Sequence, residues 1–286
     1  MLALRCLNYL VEDLGTNRVI FLISRIFAET DSVGTDSWGF LLPSISVLYR
    51  MYLDAFSERK KIVELIMRFL EKGRTVSKLL VNSALSTPYY EDVASFFWVT
   101  TLHPDAFDAA QMVQVIMRLT LKHKDKILTE ASSALYEILK RLPAKKMSAL
   151  RGWIHADDGN IRAVAALTLN KILQEGDSRV IKYLILLAKD RKSKIRRIAC
   201  NGLMSKLQDM SNEDYKNALY ALIYSKWSRA VKAALQSITF RYNDIPIDEL
   251  RKILLLCSKD PRTSTYTTLI DILYDNWKII DTNTLA

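Results

Sequence analysis

Three histidines, His103, His123 and His155, and three cysteines, Cys6, Cys200 and Cys257, are the residues of this chain best suited to nucleophilic or metal chemistry. Their spacing assembles neither. No histidine belongs to a His-Glu-x-x-His or comparable ligand pattern, and no two cysteines stand close enough in sequence for a Cys-x-x-Cys site. The Gly-x-x-x-x-Gly-Lys-Ser/Thr loop that cradles nucleotide phosphates is also absent. Cys200 falls on an apolar helical stripe and reads as a small core residue rather than a nucleophile. The expectation is a non-enzymatic protein with no cofactor and no metal.

Cations offer more. Lys and Arg total 41 against 31 Asp and Glu, a formal charge of +10 that favours acidic partners without choosing among them. They recur in groups: Lys122, Lys124 and Lys126; Asn160 with Arg162; Lys192, Lys194, Arg196 and Arg197; Lys226, Arg229 and Lys232; then Arg262. Each group precedes or opens a predicted helix, where unsatisfied N–H groups already attract anions. Trp227 adds a candidate stacking surface or a packing staple. The candidate residues for binding a partner or phosphate are therefore Lys124, Lys126, Arg162, Lys192, Lys194, Arg196, Arg197, Trp227, Arg229 and Lys232. A second basic group, Lys140, Arg141, Lys145, Lys146 and Arg151, reads as a solvated rim on the opposite edge.

The elements that must position these residues are helices. Half the residues are apolar, while 8 Gly and 6 Pro are too few to punctuate an all-β chain. A register also repeats. Ile127 leads to Ala131, Leu135 and Leu139; Ile161 to Ala165, Leu169 and Leu173; Ile195 to Ala199, Leu203 and Leu207; Ala230 to Ala234, Ile238 and Tyr242; Thr265 to Leu269, Leu273 and Trp277. These anchors lie 34, 34, 35 and 35 residues apart. Steps of four keep side chains on one helix face, so each series is a buried stripe. Upstream, Val93 starts Phe97 and Thr101, Ile62 starts Ile66 and Leu70, and Val19 starts Ile23 and Phe27, at the less regular intervals of 34, 31 and 43 residues. The polar run Glu29–Gly39 takes up the longest interval. Companion helices are expected to begin near Pro143, Asp177, Ser211 and Pro246 and to run about 13 to 16 residues. Ser211 with Asp214 forms a capping box, and Gly176 suits a helix stop.

The run from Asp157 to Leu167 places acidic residues before an Ile161-Arg162 pair, with Ala165 three residues beyond the arginine. The run from Asp190 to Ala199 repeats it, and Trp227 to Leu235 carries a third copy with Lys232 for the arginine and no acid. This pattern resembles the second-helix signature of HEAT repeats. The tetratricopeptide first-helix pattern is not matched, and 34 residues leave little room for the third helix of an armadillo repeat. The resemblance implies an all-α, right-handed α-solenoid of about eight helical hairpins. It also implies a scaffold whose second helices line a concave face, with Arg162 and Arg196 paired to Asp157, Asp158 or Asp190 in a ladder. DNA glycosylases that use a HEAT-like array carry a tryptophan and acid cluster, and here only Trp153 near Asp157 and Asp158 approaches it.

The whole chain, 1–286, reads as one solenoid domain: an irregular first hairpin and loop over 1–39, divergent repeats over 40–123, and regular repeats over 124–286. Its function would be to bind a protein partner, an acidic one, through the concave face and the basic edge, with nucleic-acid backbone as the alternative ligand. The first helix, with Leu2, Leu4, Leu7 and Leu10, and the last, with Leu269, Leu273 and Trp277, are apolar over more than one face, so the ends are expected to contact another domain or subunit. Charges such as Arg25 and Arg50 break every apolar stretch short of a membrane span. Arg5 interrupts the amino-terminal apolar stretch, which argues against a secretory signal, and the scattered cysteines suit a reducing compartment. An intracellular, soluble protein, cytoplasmic or nuclear, is expected.

Overall fold

The computed structural model describes residues 15–29, 41–54, 56–70, 74–225, 227–241 and 244–258, and among them there is no strand. The chain divides into two compact units, Met1–Trp153 and Ile154–Ala286. In the first unit lie α1 (Thr16–Glu29), α2 (Leu41–Asp54), α3 (Arg59–Leu70), α4 (Arg74–Ser86), α5 (Tyr90–Leu102), α6 (Ala109–His123), α7 (Leu128–Lys140) and α8 (Lys146–Ile154), which reaches the division. In the second lie α9 (Gly159–Gln174), α10 (Ile181–Leu187), α11 (Ser193–Lys206), α12 (Asn212–Tyr224), α13 (Ser228–Phe240) and α14 (Ile247–Ser258). No helix among the described residues is long and apolar enough to cross a membrane.

The repeating columns are the core. Ile127, Ala131, Leu135, Leu139, Ile161, Ala165, Leu169, Leu173, Ile195, Ala199, Leu203, Leu207, Ala230, Ala234 and Ile238 are all buried, as are the upstream Val93, Phe97, Ile62, Ile66, Leu70, Val19, Ile23 and Phe27. Thr101 is half-buried and turns its hydroxyl to the Phe97 carbonyl, 2.9 Å away. Tyr242, the series from Thr265, and both apolar chain ends fall outside the described residues. In the second unit α9 packs on α11 and α11 on α13, while α10 packs on α12 and each lies against its chain neighbour. Small Ala165, Ala199 and Ala234 let the column-bearing helices approach.

The first unit departs from the extended register. The helix packed beside α5 is α2, not α3 with its Ile62 anchor. Trp98 of α5 inserts between Tyr49 and Tyr52 of α2, with ring centroids 5.2 and 4.9 Å apart. Because α2 buries Ile45, Leu48 and Met51 on one side and Leu42 and Val47 on others, it is embedded more fully than α3. The irregular intervals of 31 and 43 residues accompany this change of packing partner.

Helix ends follow local rules. Gly176, at φ +94°, donates to the Leu173 carbonyl at 3.0 Å and Asp177 donates to that of Ile172 at 3.3 Å, a Schellman closure of α9 that needs a left-handed residue. Ser211 accepts the Asp214 N–H at 3.2 Å and donates its own hydroxyl to the Asp214 carboxylate at 3.0 Å, opening α12. The companion helices are shorter than expected in two cases. The chain turns through 141–145 before α8, which has 9 residues, and the tight turn Ser178–Val180 takes the start of α10, which has 7. In α12 and α14 the lengths are 13 and 12 residues.

Candidate basic surface

The candidate cations separate into those whose groups are consumed by the fold and those that face solvent. Arg162, in the first turn of α9, is buried with Asp190: their side chains are 8% and 7% exposed. Its Nε donates to Asp190 Oδ2 at 2.6 Å and its Nη2 to Oδ1 at 3.1 Å, a two-pronged ion pair, while Nη1 donates to the carbonyls of Ala156 and Asp157 at 2.7 and 2.8 Å. Four of its five N–H donors are thereby used within the chain. Burial pushes the Asp190 carboxyl up, but the hydrogen bonds from Arg162 and from the Lys192 N–H outweigh it and hold the group below its ordinary value. The same hydrogen bond raises the Arg162 guanidinium. Arg162 is therefore a structural clamp and leaves the candidate set.

Arg196 repeats half of that arrangement one turn of the register later. Its Nη1 donates to the carbonyls of Asp190 and Arg191 at 2.8 and 3.0 Å, the counterparts of Ala156 and Asp157. At the position that corresponds to Asp190 stands Ser225, whose hydroxyl donates to the Leu222 carbonyl and accepts the Trp227 N–H. Arg196 is half-buried and holds its turn through carbonyls alone. The ladder implied by the family resemblance thus has a carboxylate rung at Arg162 and a backbone rung at Arg196.

Other cations are also engaged. Lys122 donates to the carbonyls of Leu85 and Thr87 at 2.9 and 2.7 Å, closing the end of α4. Arg141, expected on a solvated rim, instead bridges the Pro104 and Phe107 carbonyls, each at 2.6 Å, and pairs with Asp105 at 2.9 Å. Arg241 does the same in the second unit, reaching Leu207 and Met210 carbonyls at 3.2 and 2.8 Å, Asn212 at 2.7 Å and Asp244 at 2.6 Å. Beside Arg141 lies a cavity of about 670 Å³, lined also by Lys78, Asp105 and Asp108, whose opposite charges balance.

In the first unit Lys124 and Lys126 are exposed, with the Lys126 ammonium 4.8 Å from the Tyr90 ring. Lys124 ends α6 at φ 53°, a left-handed conformation that disfavours a residue with a Cβ. In the second unit Lys192, Lys194 and Arg197 at the start of α11 and Arg229 and Lys232 at the start of α13 are exposed. The Lys192 side chain lies over Gly159, where an added Cβ would meet its Nζ at 2.4 Å. Trp227 is half-buried as the residue before α13. Lys226 and Arg262 lie outside the described residues.

Sequence reasoning missed the residues that continue this face. Asn201 and Gln236 are exposed seven residues beyond Lys194 and Arg229, and Phe240, eleven beyond Arg229, is 79% exposed. The signal was the same register read at solvent-facing rather than core positions. Among the described residues no group of three or more His, Cys, Asp or Glu could hold a metal ion. Burial pushes the Cys200 thiol up to about 11, against smaller opposing effects of Ser225 and Arg196, and Trp153 is 1% exposed.

No family model matches the sequence, and no curated protein matches it either. In fold the chain is similar to the crystal structure of Cex1p, at 12% identity and a TM-score of 0.60, over 95% of this chain and 56% of that one. It therefore spans little more than half the length of that protein. An engineered protein aligns over 96% of this chain and 84% of its own at 16% identity, with a TM-score of 0.40. At these identities the likeness to Cex1p is one of all-helical fold.

Proposed function

We propose that this protein is a non-enzymatic scaffold of HEAT-like hairpins, about eight stacked as a right-handed α-solenoid, that holds an acidic protein partner. The partner lies against the second helices, on the concave face of such an array and along its basic edge. One observation carries the reading: α11 and α13 expose Lys194, Arg197, Arg229 and Lys232 and contain no Asp or Glu at all. A repeated 34–35-residue register with buried columns supports the solenoid, and the likeness to Cex1p supports an all-helical fold.

Nucleic-acid backbone is the second reading, since neighbouring helices about 8–10 Å apart present cations at a step a phosphate chain could follow. Salt dependence and competition separate the two. A labelled polyglutamate peptide and a labelled oligonucleotide, single- or double-stranded, are titrated with the protein at low and physiological salt. The scaffold reading expects peptide binding that Lys192→Glu, Lys194→Glu, Arg197→Glu and Arg229→Glu together abolish with helical content unchanged. Preferential oligonucleotide binding with a steep linear log–log salt slope would replace it with the second reading.

A further inference from the structure

We infer that Arg196 is a carboxylate-binding anchor: its Nε–Nη2 edge takes from an acidic partner the two-pronged carboxylate that Asp190 gives to Arg162 within the chain. The inference rests on the acidic-partner reading and assigns the residue that grips the partner.

The two arginines are held alike. Arg162 sets its Nη1 on the carbonyls six and five residues before it, Ala156 and Asp157, and Arg196 sets its own on those of Asp190 and Arg191 at the same spacing. Two carbonyls on one nitrogen orient the planar guanidinium and therefore its Nε–Nη2 edge. In α9 that edge meets both oxygens of Asp190, at 2.6 and 3.1 Å. In α11 no described residue bonds it.

Ser225 accounts for the difference. Asp190 and Ser225 each stand two residues before the one that precedes the next column-bearing helix, and each accepts that residue's N–H, from Lys192 at 2.8 Å and from Trp227 at 3.3 Å. Serine keeps the turn but has no second oxygen with which to reach back. Its hydroxyl is committed to the Leu222 carbonyl at 2.7 Å. The Cys200 thiol, one turn beyond Arg196, hydrogen-bonds Ser225 and also feels the Arg196 charge, which gathers the guanidinium and the serine around one point of α11. Residues 191–208 and 215–243 contain no Asp or Glu, so α11, α13 and all of α12 beyond its first turn bring no carboxylate to the fork.

The edge can be reached from outside. Arg196 is half-buried where the Arg162 side chain is 8% exposed, and neither of its unbonded nitrogens is buried from solvent. Partial burial strengthens a charge-assisted bond relative to one made by a cation in open water. Because the fork is already oriented, a partner's carboxylate has little to order on the protein side. The ligand is thus an Asp or Glu side chain of the partner, seated as Asp190 is seated on Arg162.

Binding of a labelled polyglutamate peptide at physiological salt tests this. Arg196→Lys keeps the charge but loses the fork, and should weaken binding about tenfold. Ser225→Asp should supply the carboxylate from within the chain and weaken binding by as much, with no further loss when Arg196→Lys is added to it. Ser205→Asp, the same change of charge at an exposed position towards the other end of α11, should leave the affinity within about twofold. Urea unfolding reads the pairing independently: Arg196→Lys should lower the folding equilibrium constant about tenfold more in the Ser225→Asp background than in the natural chain. Far-UV circular dichroism shows whether each variant is folded, and should Ser225→Asp not fold, the response of binding to Arg196→Lys decides. If the peptide binds Arg196→Lys and Ser225→Asp as it binds the natural chain, the anchor is refuted and the acidic-partner reading stands. Strict additivity of the two substitutions in urea, or a Ser205→Asp effect as large as that of Ser225→Asp, also refutes the anchor. If the natural chain does not bind the peptide at all, both the anchor and the acidic-partner reading fall.

Discussion

Arg162 and Asp190 come from successive repeats, 28 residues apart, yet share a two-pronged ion pair with almost no exposure to solvent. The guanidinium also ties down the two carbonyls that enter its own helix, so one side chain joins a turn, a helix start and the next turn. Removing either partner strands a buried charge. Arg162→Ala is expected to cost about 3–5 kcal/mol, read by denaturant unfolding, with Arg162→Lys retaining only part of it because an ammonium cannot fork onto both oxygens.

The same pair sets an acid limit. With the folded carboxyl of Asp190 held below its ordinary value of about 3.9, the stabilisation is complete above that pH. It is lost as pH falls through the folded value, where the folded state must finally take up the proton. Asp190→Asn should remove this part of the acid transition in a series of urea melts between about pH 5 and 2.

His123 works in the opposite sense. Its Nε2 is buried without a hydrogen-bond partner, and burial, helped by the charges of Lys122 and Lys126, pushes its pKa down. Below about pH 6.5 the unfolded chain binds a proton that the folded one resists, so stability declines as pH falls through that value. His123→Gln should flatten that segment of the stability–pH curve, and an unchanged slope would show that the imidazole is freely hydrated.

Lys124 pays a conformational cost at φ 53° with an exposed side chain. Lys124→Gly relieves it and should stabilise the protein by about 1 kcal/mol, net of the added freedom of the unfolded chain, raising Tm by a few degrees in calorimetry.

Gly202 of α11 faces Asn170 of α9 so closely that a Cβ would stand 1.9 Å from Asn170 Oδ1 and 2.5 Å from its Cγ. The Asn170 amide cannot simply swing away, because its Nδ2 donates to the Ile198 carbonyl at 2.9 Å. Gly202→Ala should cost about 1–3 kcal/mol, and much less in an Asn170→Ala background, a non-additivity that a double-mutant cycle measures directly.

What the sequence discloses depends on whether its physics is periodic. The core columns were legible because burial of one helix face forces apolar residues every three or four positions, and Ile127 through Ile238 obey this. The Arg162 clamp could be anticipated because its partner is another charged side chain with its own letter. Arg141, Lys122 and Arg241 could not, since their partners are carbonyls, and every residue has one. The embedding of α2 was hidden for a related reason: α2 and α3 both carry apolar residues in steps of four, and only packing decides which of them lies beside α5. Phe240 was hidden because an aromatic residue at a helix end reads as core until its exposure is known.

The exchange of Asp190 for Ser225 along the arginine ladder has a mechanical consequence. The turn before α11 is anchored by an ion pair across the repeat, whereas at the corresponding position before α13 Ser225 offers a hydroxyl in place of a carboxylate. Amide exchange should therefore reveal two different opening energies in neighbouring turns, with α13 parting from α11 before α11 parts from α9. A helical stack built this way yields at a defined rung, and that rung lies beside the surface from which Arg229, Lys232 and Phe240 project.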